Sequence, residues 1–377
     1  MSDWSANPPR GRRPQQGGYD YYRGARDPRA GGAAPPPPPP PPGADRHRPA
    51  PPPPPPSRRK RANWPRRIGI ALLVLVLVVV GFGIYVDSLL QRTPALDYPG
   101  RIEDTPGTNW LLVGSDSREG LDEAQREELS AGDAAGRRTD SMMLVHIPAG
   151  GGKPALISLP RDSYVPIPGH GRDKLNSAFA IGGPQLLART VEQVTDVHID
   201  HYAEIGFGGF SGLVDAVGGV DICLDKPMDD EKANAHLPAG CQELTGPQAL
   251  GFVRARYSLA GGDLERVENQ RKLLGALVDK GMSPATMFNP FRLVPLANAA
   301  GTTFLLNSGD HVWHLVWLAK ALSDISGGNG ITTNVPFGGF TETDEGQSVI
   351  KWDSEDASRM FSAIAKDEPI PPDLLQP

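Results

Sequence analysis

Arginines and aspartates recur at the ends of apolar runs in this 377-residue chain. Gly114-Ser115-Asp116-Ser117-Arg118 follows the run at 109–113, and Arg137-Arg138-Thr139-Asp140-Ser141 opens the run that ends at Ile147. Pro160-Arg161-Asp162 closes the run at 155–159. Further on, Arg254 and Arg256 stand one residue apart, which in an extended segment points both to one face. Asp263, Arg266 and Gln270 are spaced i, i+3, i+7, along one side of a helix. Taken singly, each arginine reads as a surface ion pair contributing about 0–1 kcal/mol. Together, several guanidinium groups and two carboxylates are what a diphosphate with Mg²⁺ requires. Arginine holds phosphate through two parallel N–H donors, and Mg²⁺ takes one or two carboxylates plus phosphate oxygens and water.

Ligands of open α/β sheets bind beyond the carboxyl ends of strands, so polar loops after apolar runs are suitably placed. Short apolar segments at 109–113, 141–147 and 155–159 read as buried strands, with the Gly/Pro-rich stretch 148–154 as a hairpin loop. Residues 183–194 have helical spacing, with Leu186, Leu187, Thr190, Val191 and Val194 on one side. A strand at 202–205, a short helix at 210–217 ending at Gly218-Gly219, and a strand at 220–224 follow. Residues 264–280 read as the longest helix, with Asp263 as N-cap and Gly281 as its stop. Helices at 312–322 and 355–364 and a strand at 331–335 complete the set. Strands alternating with helices predict an α/β fold, a central mixed sheet covered by helices. Residues 119–136 read as an acidic, Gly/Ala-rich surface insertion.

The net charge of −6 conceals an asymmetry: residues 1–67 carry 14 Lys/Arg against 4 Asp/Glu, so the remainder stands at −16. An acidic domain of this kind does not suit nucleic acid, whose binding rests on a basic face. Residues 1–67, with polyproline runs at 35–42 and 51–56, read as a disordered tail. Residues 68–86 contain no charged side chain over 19 positions, about 28 Å as a helix, close to a bilayer's hydrocarbon thickness. They lie far from Met1 and precede no Ala-x-Ala site, which favours a membrane anchor over a signal peptide. Arg58, Arg59, Lys60, Arg61, Arg66 and Arg67 before the run, and Asp87 after it, place the N-terminus in the cytoplasm. Residues 87–108 then form a linker, and 109–377 an extracytoplasmic domain. Cys223 and Cys241, on the outer side, are expected to form a disulfide.

No Gly-x-Ser-x-Gly elbow occurs, and His170, His198 and His201 have no nucleophile at motif spacing. His170, in Pro-Gly-His-Gly, reads as a turn residue. Neither the histidines nor the cysteines follow a zinc spacing.

The segments GSDSR, RRTDSMMLVHI, ISLPRDSYVPIPGHGRDKLNSAFAIGGP, ALGFVRAR and GGDLERVENQ follow one another as in the LytR-CpsA-Psr family. The resemblance covers residues 109–280, and the tail, single anchor and cysteine pair resemble actinobacterial members. It implies a transferase that moves a glycan phosphate from a polyprenyl diphosphate donor onto the muramic acid 6-hydroxyl of peptidoglycan. Asp116 and Asp140 match the family's Mg²⁺ (or Mn²⁺) ligands. Arg138, Arg161, Arg254, Arg256, Arg266 and Gln270 match its diphosphate-binding residues, the four arginines at 138, 161, 254 and 256 being the catalytic set. Asn269 departs from an arginine found in many members, with consequences for a phosphate contact or for donor preference. Arabinogalactan is the polymer expected first. Leu186, Val191, Phe207, Phe210, Leu213 and Val217 are candidates for an isoprenoid channel or, alternatively, ordinary core. The competing readings are a non-catalytic lipid-diphosphate sensor and a pyrophosphatase using water in place of the sugar hydroxyl.

Overall fold

The computed structural model describes residues 38, 64–115, 139–255, 263–343 and 346–375, with backbone alone at 140, 207 and 263–267. Helix α1 (Trp64–Leu89) holds the apolar run and is long and apolar enough to cross a membrane. Strand β1 (Gln91–Thr93) follows directly. The expected linker therefore contributes to the fold, because β1 pairs with a distant strand and Ala95 and Leu96 are buried in the core.

The strands β2 (Thr108–Ser115), β3 (Thr139–Ile147) and β4 (Ala155–Ser158) form an antiparallel meander joined across the expected hairpin loop. A small hairpin, β5 (Tyr164–Ile167) and β6 (Gly171–Lys174), turns at His170. Helix α2 (Leu175–Thr195) begins eight residues before the expected helix. Its path breaks at Gly182 and Gly183, the latter at φ 63°, and resumes at Pro184, whose fixed φ suits a helix start. Strand β7 (His201–Gly206) and helix α3 (Phe207–Ala216) follow as expected.

Strand β8 (Val220–Leu224) lies outside the main sheet, paired with β11 (Gly240–Leu244); β9 (Met228–Asp230) and β10 (Ala235–Leu237) pair between them. Helix α4 (Gly246–Arg254) is one that the sequence reading left unassigned. Its start is set by Thr245, whose N–H donates to the Gln248 side chain at 3.0 Å, and by Pro247 in the first turn. Helix α5 (Asp263–Met282) runs through Gly281, where a stop was expected, and a single-turn helix α6 (Pro284–Met287) follows. Helix α7 (Pro290–Thr303), capped by the Asn289 side chain accepting from Phe291 N at 3.0 Å, leads into β12 (Phe304–Asn307). The rest comprises α8 (Val312–Asp324), β13 (Ile331–Asn334), the hairpin β14 (Phe337–Glu342) with β15 (Ser348–Trp352), and α9 (Ser354–Ala365).

The central sheet has the order β1-β12-β7-β2-β3-β4-β13 and is mixed, with β7 parallel to β2, β13 parallel to β4, and the meander antiparallel. Alternation along the strands separates its two faces. Leu111, Val113, Leu144 and Ile157 pack with α2 and α9 through Leu187, Val191, Met360 and Phe361. Trp110, Met143, Val145 and Leu156 pack on the other face with Leu318 and Leu322 of α8 and Leu274 of α5. A third cluster joins α3, α4 and α5 to the β8–β11 ribbon through Val214, Phe252, Leu273 and Ile222.

Candidate functional site

Ser115, Thr139 and Ser158, which border three of the charged sequence clusters, lie at one end of the sheet. Ser115, the last residue of β2, lies opposite Thr139 of β3 after a register shift at Gly114, and level with Gly206 of the parallel β7. Gly114 approaches Ser141 closely enough that a Cβ on it would lie 3.2 Å from Ser141 Cβ. Strand β4 ends at Ser158, level with Asn334 of β13. The main chain of Asp140, between Thr139 and Ser141, belongs to this end.

Asp116, Arg138 and Arg256 lie outside the described residues, and Asp263 and Arg266 are described only as backbone in the first turn of α5. Arg161 stands three residues beyond the end of β4, half-buried, its Nε donating to Asp162 Oδ2 at 3.3 Å. Lys174 Nζ donates to the other Asp162 oxygen at 2.8 Å. Burial works to raise the Asp162 carboxyl, but the Lys174 hydrogen bond and the Arg161 charge outweigh it and hold it below the usual carboxylate range. Arg254 is the last residue of α4, not part of an extended segment, so the same-face argument for Arg254 and Arg256 does not apply. The chain turns extended only at Ala255, with ψ 134°.

One cation at this end was missed. Arg271 of α5 donates from Nε and Nη2 to Ser158 Oγ at 3.3 and 3.1 Å, and from Nη2 to Thr333 O and Asn334 Oδ1, both at 2.7 Å. It joins the helix to the carboxyl ends of β4 and β13, and burial pulls its pKa below the usual guanidinium value. Its partners lie 62 to 113 residues away in sequence, beyond the reach of helical spacing. Two residues upstream, Asn269 is buried and its Nδ2 has no hydrogen-bond partner among the described residues; Ser115 Oγ is in the same condition. Gln270 between them is half-buried. A buried, unpartnered polar atom costs on the order of 1–3 kcal/mol, so Ser115 Oγ at the end of β2 and Asn269 Nδ2 on α5 are donors that a ligand could satisfy.

The candidate channel residues divide between separate clusters. Leu186 and Val191 pack on the α2 face of the sheet, whereas Phe210, Leu213 and Val217 pack in the cluster around α3 and α4. Val191, Leu213 and Val217 are buried there and Leu186 and Phe210 partly buried, and Phe207 is described only as backbone. A groove of about 670 Å³ lies elsewhere, between α5 and α8: Leu156, Leu274, Leu322 and Ile325 supply apolar wall and Arg271 lies on its lining.

The structure also brings together histidines that no sequence spacing linked. His201 Nδ1 meets Asp310 Oδ1 at 2.5 Å, and His314 Nδ1 lies 3.6 Å from the same oxygen. Asp310 Oδ2 accepts from Tyr202 N, and His314 lies with Nδ1 3.2 Å from His311 N and Nε2 3.0 Å from Trp313 Nε1, only one of which a neutral ring accepts from, so the cluster ties β7 to α8. Cys223 and Cys241 form the expected disulfide, across paired positions of β8 and β11.

The LytR_cpsA_psr family model matches residues 90–364. A Corynebacterium glutamicum protein described as probable cell wall biosynthesis protein LcpB is 48% identical over 293 residues, covering 78% of this chain and 68% of that protein. A Bacillus cereus polyisoprenyl-teichoic acid–peptidoglycan teichoic acid transferase, TagU, is 32% identical over 55% of this chain and 69% of its own. Among solved structures, a LytR-Csp2A-Psr enzyme from Actinomyces oris aligns with a TM-score of 0.56 at 21% identity, over 74% of this chain and 96% of that one. TagT bound to LIIa-WTA aligns at 0.52 and 22% identity, with the same two coverages. With about three-quarters of its length matched by the family model, the chain belongs to the LytR-CpsA-Psr family.

Proposed function

We propose that this protein is a transferase that attaches a cell-wall glycopolymer to peptidoglycan, taking the polymer as a glycan phosphate from a polyprenyl diphosphate carrier. The observation that carries the reading is a pair of buried, unpartnered polar atoms, Ser115 Oγ at the end of β2 and Asn269 Nδ2 on the helix that Arg271 ties to the ends of β4 and β13. In that reaction the muramic acid 6-hydroxyl oxygen bonds to the glycan-bearing phosphorus. The bond from that phosphorus to the bridging oxygen breaks, and polyprenyl phosphate leaves with the electron pair.

Negative charge accumulates on phosphoryl oxygens through such a step, so fixed donors and cations supply most of what the protein contributes. Arg138, Arg161, Arg254, Arg256, Arg266 and Gln270 hold the diphosphate, with Asn269 Nδ2 as a neutral donor where many relatives place an arginine. Asp116 and Asp140 suit a cation shared with the phosphates. Asp140 lies in β3 opposite the end of β2, and Asp116 directly follows that end. Mg²⁺ or Mn²⁺ there would neutralise phosphoryl charge. Asp116 or Asp263 takes the hydroxyl proton. The groove beside Arg271 receives the first isoprene units.

Helix α1 spans the membrane. Trp64 and Tyr85 stand near its two ends, about 32 Å apart along the helix, and Arg66 and Arg67 at the Trp64 end set the N-terminus in the cytoplasm. The donor lipid and the domain then share one bilayer face. Arabinogalactan is the polymer proposed first. Full-length protein in nanodiscs, given a synthetic polyprenyl diphosphate glycan and peptidoglycan fragments, should release polyprenyl phosphate only when acceptor is present. Equal release without acceptor would make it a pyrophosphatase and overturn the transferase reading.

A further inference from the structure

Helix α8 is apolar on two sides. Its inner side, Leu318, Ala321 and Leu322, is buried against the sheet. Its outer side carries Trp313, Val316 and Trp317, at i, i+3 and i+4, exposed to 51%, 54% and 65%, and ends at the exposed Lys320. A helix with apolar residues all round is ordinarily buried all round, so this outer stripe calls for an occupant.

The place where α8 starts identifies that occupant. Asp87, in the last turn of the membrane helix α1, accepts from Val312 N at 2.9 Å and meets His311 Nδ1 at 3.1 Å. Its other bond, from Arg92 Nη2 at 2.9 Å, fixes the entry to β1. Trp313 stacks on the same His311, ring centroids 4.2 Å apart. Leu89 of α1 packs against Gly301 of α7, where a Cβ would come within 2.8 Å of the leucine Cβ. The membrane helix is thus joined to the domain through α7 and the first turn of α8. From Trp313 to Lys320 the stripe extends about 10 Å, and the headgroup layer on one side of a bilayer is roughly 5–8 Å thick. Indole rings, with an apolar body and an N–H, partition to that layer.

We infer that the Trp313–Val316–Trp317 face of α8 sits in the phospholipid interface beside the exit of α1, holding the domain against the bilayer instead of leaving it to swing on a single helix. The inference rests on α1 spanning the membrane. It adds a second attachment, which would fix the height at which the strand-end site meets a lipid-linked donor.

The test uses the full chain in vesicles of phosphatidylethanolamine and phosphatidylglycerol, with an environment-sensitive NBD label on Val316→Cys or, as control, on Phe340→Cys. Phe340 is 71% exposed on β14. The label at 316 should emit further to the blue and be quenched severalfold more than the control by lipids with a nitroxide high on the acyl chain. Equal, weak quenching at both positions in protein that resists carbonate extraction overturns the inference alone. Emission at 316 that follows the protein-to-lipid ratio, without lipid quenching, assigns the stripe to a second copy of the chain and also overturns it. Release of the protein by carbonate would overturn the α1 reading as well. A Trp317→Cys label repeats the measurement one residue along, should the first variant fold poorly.

Discussion

Arg271 reaches from α5 to Ser158 Oγ at the end of β4, 113 residues away, and through Thr333 O and Asn334 Oδ1 to the end of β13. One guanidinium thereby fixes the helix that carries Arg266, Asn269 and Gln270 against the strand ends that carry Arg161. Arg271→Ala should lower stability by on the order of 3 kcal/mol, since charged hydrogen bonds are lost and buried acceptors left unpaired. Arg271→Lys should recover little of it, because an ammonium cannot serve three acceptors through a planar fork. Chemical denaturation of the two variants measures both, and equal stability of the lysine variant would refute the role of the fork.

Asn269 offers the opposite pattern. Its Nδ2 is buried without a partner, so Asn269→Leu removes an unsatisfied group and should leave stability unchanged or raise it by about 1 kcal/mol. Donor affinity should fall severalfold, because the amide would otherwise meet a phosphoryl oxygen. Thermal melting and donor titration read the two effects separately, and a destabilised variant with normal affinity would show the amide to be structural.

The Asp162 carboxyl contributes stability that depends on pH. Its folded pKa lies below the unfolded value of 3.8, so the contribution is fully present above that value and is lost as pH falls through the folded pKa. Asp162→Asn should therefore lower stability at neutral pH and flatten the acid side of the stability curve. Denaturant titrations from neutral pH down to pH 3 check the slope. An unchanged acid limb would mean that Arg161 and Lys174 do not act on this group.

The Cys223–Cys241 bond pins the β8–β11 ribbon, which lies outside the central sheet. The double Ser variant should lose about 2–4 kcal/mol by the chain-entropy argument, while its turnover at low temperature stays near that of the wild type. A large fall in turnover with the fold intact would place the ribbon in the acceptor site.

How much of this was legible in the sequence depended on range. The meander was readable because Leu111 and Val113 alternate with Trp110 and Leu112 over a sheet buried on both faces. Helix α3 was readable because Gly218-Gly219 follows it, both at positive φ. Helix α4 was not assigned from the sequence, because its start depends on Thr245 and Gln248, ahead of the Arg254/Arg256 pair that drew attention. Gly281 misled as a stop, since α5 continues past it for one residue. Which of the channel-or-core candidates share a cluster is decided by tertiary packing: Val191 and Leu213 lie in different clusters. Arg271 went unseen because its role consists entirely of contacts to β4 and β13.

The most direct measurement is metal-dependent transfer by full-length protein in nanodiscs, wild type against Asp140→Asn, with donor binding followed in parallel. The account predicts glycopolymer attached to peptidoglycan fragments with Mg²⁺ present. In Asp140→Asn it predicts a fall of at least a hundredfold, about 2.7 kcal/mol in the barrier, with the melting temperature retained. Normal transfer by Asp140→Asn, or tight donor binding by the wild type with no product under any metal condition, would contradict it.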